Sequence, residues 1–112
     1  MEIINSSKEL NKVEKYFLTK AQNIKKMSLV KGQKLDLTMW CLYEDTNMDG
    51  EVQTIFSCMT PEGEVYATNS PSFVRCFGDI LECFSPEDVT ALKILPGTSK
   101  AGREFLTCVY AE

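Results

Sequence analysis

Between Gln33 and Tyr110 the apolar residues change period in a fixed order, and that order limits the folds open to this chain. Period-two alternation runs over Leu35, Leu37, Met39, Cys41 and Tyr43, against Asp36, Thr38, Trp40, Leu42 and Glu44. Strands have that period, because successive side chains point to opposite faces. Val52–Met59 and Glu64–Thr68 read as two further strands around the turn residues Thr60-Pro61-Glu62-Gly63. The period then lengthens to that of a helix: Phe73, Val74, Phe77, Ile80, Leu81 and Phe84 recur on one face. Ser70-Pro71 supplies a cap and a first-turn proline, and Ser85-Pro86 stops the segment. Val89–Leu95 and Arg103–Tyr110 close the series as strands.

Strand, strand, strand, helix, strand, strand is the connectivity of the five-stranded oligonucleotide/oligosaccharide-binding (OB) barrel, with its helix between strands 3 and 4. The expected class is mainly β (α+β), with an extra N-terminal helix. Ser6-Ser7-Lys8-Glu9 fits a capping box, and Leu10, Val13 and Phe17 follow at helical spacing, so a helix is expected over about 7–18. The expected division is a helical extension at 1–19 and a barrel at 20–112.

Five cysteines without Cys-x-x-Cys spacing, and no histidine, argue against a zinc site or a disulfide framework. The expectation is buried, reduced thiols and no cofactor. The absence of histidine also removes the usual general base, so no enzyme is expected. Asp45-Thr46-Asn47-Met48-Asp49-Gly50 imitates the start of a calcium loop, but Phe56 stands where the closing glutamate belongs. No apolar run reaches the ~20 residues of a membrane span, and no signal peptide is visible. A cytoplasmic protein without membrane contact is expected.

Charge is unevenly spread. Residues 1–34 hold eight lysines and three glutamates, a net of +5; residues 35–112 hold four basic and thirteen acidic side chains, a net of −9. A basic segment on an acidic body suits one face for a polyanion, or simply a solvated lysine-rich stretch.

Three stretches carry a resemblance: Glu51–Phe56, Gly63–Tyr66, and Lys93-x-x-x-Gly97-Thr98-Ser99-Lys100-x-Gly102. Lys25-Lys26, Gly32 and the strand ending at Tyr43 add to it. Over roughly residues 22–110 the chain resembles the single-stranded-DNA-binding proteins of small tailed bacteriophages, including those with protein-primed replication. The resemblance implies sequence-independent coating of single-stranded DNA during genome replication in the host cytoplasm. It also implies base stacking by Tyr43 and Tyr66. Core packing is the other reading of Tyr43. Trp40 falls on the polar face of its strand, either half-buried or as a stacking platform, and Phe56 lies in the following hairpin. The expected phosphate partners are Lys25, Lys26, Lys31, Lys93, Lys100 and Arg103, which border the expected groove. Self-association through the N-terminal helix and contact with replication proteins are further expectations. The competing reading is a small phage protein whose acidic surface mimics nucleic acid and inhibits a host enzyme.

Overall fold

The computed structural model describes residues 1–111 as a mixed α+β unit of mostly strands in two sheets. The larger sheet has the order β1-β4-β5-β6-β2, from Glu2–Ser6, Met39–Thr46, Val52–Met59, Val65–Thr68 and Lys25–Lys26. The smaller has the order β3-β7-β8, from Lys34–Asp36, Ala91–Thr98 and Glu104–Tyr110. All ladders are antiparallel except the two-residue ladder of β2 on β6. Helix α1 spans Lys12–Thr19 and α2 spans Pro71–Cys83; short 3-10 turns cover Met27–Val30 and Pro86–Asp88. Among the described residues no helix is long and apolar enough to cross a membrane.

The alternating stretch from Leu35 to Tyr43 is two strands, not one. Leu37 donates its N–H to Thr90 beside the smaller sheet, and Thr38 donates to Met59 of the larger. The chain therefore changes sheets between these neighbours, and the change shifts the phase of alternation. Leu35 and Leu37 enter the main core before the bend; Trp40 and Leu42 enter it after. Cys41 and Tyr43, expected on the core face, lie on the opposite face of β4 in a second cluster with Leu10, Leu18 and Val65.

Helix α2 lies between β6 and β7, as the period-3.6 segment predicts. Ser70 accepts a hydrogen bond from the Phe73 N–H, and Pro71 occupies the first turn, where its missing N–H costs nothing. The buried face of Phe73, Phe77 and Ile80 packs into the main core. The Phe56 ring centroid lies 5.1 Å from Phe73 and 4.5 Å from Phe77, and Trp40 meets Phe77 edge-on at 4.6 Å. Such pairs contribute ~0.5–1.5 kcal/mol each beyond the area they bury.

The N-terminus differs from its expectation. Glu2–Ser6 forms an edge strand on β4, and the helix starts later, with Asn11 and Glu14 as its capping box. Ser6, the expected cap, is instead the last residue of β1, paired with Cys41, and its hydroxyl donates to the Lys8 carbonyl at 2.6 Å. The register of the helix rotates accordingly. It buries Leu18 and Thr19, while Val13 and Phe17, expected to dock, face solvent.

All five cysteines are free thiols. Cys41, Cys58 and Cys108 are buried, and burial pushes each thiol up to about 12. Cys76 is half-buried and Cys83 is exposed, contrary to the expectation of uniform burial.

Candidate functional site

The lysine-rich segment from Lys20 to Gln33 crosses from the edge of β6 to β7. Met27 and Val30 anchor it in the main core. Their spacing of three matches the repeat of the 3-10 turn they share, so both point inward while Ser28 and Leu29 stay exposed. Beyond the turn, Gly32 donates to the Ile94 carbonyl, and Ile94 donates to Gln33. Gly32 has φ +83, a conformation glycine adopts without steric penalty.

Two clefts flank this segment. The first, about 230 Å³, lies between the turn and the β7–β8 hairpin, where Ser28, Lys31, Gly97, Thr98, Glu104 and Phe105 line it. The second, about 470 Å³, lies beside β6, with Lys26 at its margin and Tyr43, Ile55 and Ala67 among its walls. Ser28 and Leu106 border both, so the clefts adjoin as one groove. The groove offers two exposed ammonium groups, hydroxyls from Ser28, Thr68 and Thr98, and aromatic surface from Phe105. Glu104 is the acidic side chain on its wall.

Phe105 is the groove residue that the sequence reading missed. It pairs across the hairpin with Gly97, and its half-exposed ring lies against the Gly97 backbone. A Cβ at position 97 would sit 2.4 Å from Cε2 and 2.5 Å from Cζ of that ring. The signal was the glycine eight residues before an aromatic, with a turn between them. Pro96-Gly97 reads as loop in sequence, whereas β7 continues through both to Thr98.

The expected site residues separate into groups. Lys26, Lys31 and Tyr43 line the groove. The Tyr43 ring is 4% exposed, and burial raises its hydroxyl to about 12, so it is both core and cleft wall. Lys25 lies alongside, hydrogen-bonded at 2.6 Å to Glu64, which raises the ammonium above its usual value. Its Nζ is also 6.0 Å from the ring centroid of half-buried Tyr66. Lys100 and Arg103 sit exposed at the tip of the hairpin whose stem walls the first cleft. Lys93 points away from the core on β7, opposite Lys34 of β3, and borders neither cleft.

Trp40 and Phe56 are corrections. Both are fully buried, and their rings face each other and Phe77 rather than solvent. The Trp40 indole N–H donates to the Pro86 carbonyl at 3.2 Å, which satisfies its one polar atom inside the core. Neither ring presents a face to a ligand. No family model, curated protein or solved structure matches this chain.

Proposed function

We propose that this chain binds single-stranded DNA without sequence preference, on an OB-type scaffold, as a coat for a replicating phage genome. The strand connectivity supports the scaffold. β3 and β4 are two halves of one bent segment shared between the sheets, β5 and β6 extend one side, and β7 and β8 extend the other. Helix α2 enters between β6 and β7. That order is compatible with an OB-type scaffold, although the two sheets do not close into a barrel and no ladder joins β6 to β8.

The observation that carries the ligand class is the groove. It sets two exposed lysines, Lys26 and Lys31, beside the Phe105 ring, and a single strand carries phosphates beside flat bases. The phage setting rests on the sequence resemblance. The inhibitor reading needs an acidic stripe at the site, and the groove instead carries Lys26 and Lys31 against Glu104.

The test is titration of end-labelled oligo(dT) by fluorescence anisotropy over a range of salt. Trp40 is unsuitable as the probe because it is enclosed. Single-strand affinity falls with salt at a log–log slope of roughly −0.7 per phosphate neutralised. Three contacts predict a slope of about −2. Lys31→Gln and Lys100→Gln should each make it shallower by about one such unit and weaken all sequences alike. Salt-independent binding, or none, would overturn the proposal.

A further inference from the structure

The groove does not stop at Asn69. That residue stands in the wall of the second cleft, beside β6, and also in the wall of a third. The third cleft, about 400 Å³, lies between the start of β5 and the first turns of α2. Ser28 and Leu106 link the first cleft to the second in the same way. The clefts therefore follow one another, from the β7–β8 hairpin past β6 to α2. The local sequence makes the junction. β6 ends at Thr68 and Ser70 already caps α2, so Asn69 is the single residue between strand end and cap. It is exposed at that corner and borders the hollow on either side.

Arg75 is the charged side chain on the walls of the third cleft; the others are apolar or uncharged. It is exposed and has no ion-pair partner among the described residues. Asp79, one turn further along α2, lines a different cleft, on the β8 side of the helix. The Asn69 carboxamide donates to the Gln53 Oε1 at 3.4 Å, longer than the ~2.9–3.0 Å usual for such a bond. A carboxamide carries both an acceptor oxygen and two donor hydrogens. The pair therefore still offers the Asn69 Oδ1 as acceptor and the Gln53 Nε2 as donor. Val52, 65% exposed, forms an apolar floor with Pro71 and Val74.

We propose that the third cleft is the terminal segment of the strand path, with Arg75 holding a phosphate and the Gln53–Asn69 pair meeting base edges. This rests on the single-strand function proposed for the first two clefts. Continuity at Asn69 selects the occupant: a strand lying beside β6 reaches the third cleft at its next step. A guanidinium suits a phosphate, which it can hold through two parallel hydrogen bonds. Carboxamides match donors and acceptors alike, so the cleft adds contacts without choosing a sequence. No aromatic side chain lines it, so it contributes charge and hydrogen bonds but no stacking. The path ends beyond Val52. That residue also borders a cleft where Glu2, Glu44 and Asp45 stand against the Met1 ammonium, an acidic surface that repels phosphate.

Oligo(dT) anisotropy over a ladder of lengths tests this. Wild-type affinity should climb with length and level off once the third cleft is filled. In Arg75→Gln it should level off at a shorter length, with the shortest bound oligomers unaffected. For long oligomers the log–log salt slope should become shallower by roughly 0.7, the share of one phosphate. Val52→Glu, which carries the acidic margin inward, should shorten the plateau in the same way, with circular dichroism unchanged. Lys31→Gln should weaken every length. Arg75→Gln matching wild type at all lengths, beside an effective Lys31→Gln, would overturn the extension, leave the first two clefts as the whole path and free the third for a protein partner. An equal loss at every length would also overturn it, because Arg75 would then act as a long-range charge rather than at the end of the path. If Lys31→Gln were silent too, the single-strand function itself would fall, and this proposal with it.

Discussion

Gly97→Ala separates two roles of one ring. Gly97 carries no positive φ, so its backbone would accept alanine. The obstacle is Phe105, whose Cε2, Cζ and Cδ2 would lie 2.4, 2.5 and 3.1 Å from the new methyl. Carbon atoms rest at ~3.5–4.0 Å, so the ring must retreat by about 1 Å or more. Overpacking costs ~1–3 kcal/mol. Phe105 is half-exposed beside an open cleft and has room to swing, which places the cost near the lower end. A loss of ~1 kcal/mol corresponds to roughly 4 °C in melting temperature for a chain of this size. If bases stack on this ring, its displacement should remove ~1–3 kcal/mol of single-strand affinity. That is about five- to 150-fold, at 1.4 kcal/mol per tenfold. The assay is oligo(dT) anisotropy beside thermal melting. Phe105→Leu, which keeps apolar bulk and removes the π face, should lose a similar amount. The double variant should lose no more than either single, as residues that share one contact do. Wild-type affinity in Gly97→Ala, with the melting temperature lowered as expected, would refute the stacking role and leave Phe105 a packing residue.

Trp40→Phe forfeits the hydrogen bond to the Pro86 carbonyl and some core volume, and should cost ~1–3 kcal/mol in urea unfolding. Its affinity for oligo(dT) should be unchanged; a drop in the folded variant would put the indole back in the site. The Ser57 hydroxyl is buried and unpaired among the described residues, so Ser57→Ala should leave the urea midpoint level or raise it. A loss above about 1 kcal/mol would mean the hydroxyl has a partner. The Lys20 ammonium, hydrogen-bonded at 2.7 Å, holds the Asp45 carboxyl below its ordinary value of 3.8. A lowered folded value stabilises above the unfolded one and loses that stabilisation as pH falls through the folded one. Melting temperature should therefore fall less steeply with acid in Asp45→Asn than in wild type, and parallel curves would refute the link.

The parts of the fold legible in sequence are those whose apolar pattern meets a single core. The Phe73–Phe77–Ile80 face read correctly because one periodicity decides it. Trp40 misread because the rule of alternation assumes an unbroken strand. The bend at Leu37–Thr38 inserts one step of phase, and a one-residue shift exchanges the faces of everything beyond it. Apolar content could not reveal the shift, because the other face of β4 is buried as well, in the cluster with Leu10 and Leu18. The strand Glu2–Ser6 escaped notice because it pairs with residues some forty positions away and has no local alternation. Of the groove, the lysines were legible as charge and Tyr43 as an aromatic on a strand. Phe105 was not, because its role depends on which residue faces it across a hairpin.

The gap between β6 and β8 bears on how a strand would be loaded. No ladder joins those edges; the Ser70 hydroxyl at the start of α2 donates to the Leu106 carbonyl of β8 at 3.2 Å, and β2 rather than β8 pairs with β6. Neither cleft beside this seam is an enclosed cavity. A site of that form takes the middle of a polymer sideways and needs no free end to thread. Under the proposed function, covalently closed single-stranded circles should therefore be occupied as readily as linear strands, and internal gaps in a duplex should be filled without passage from a terminus.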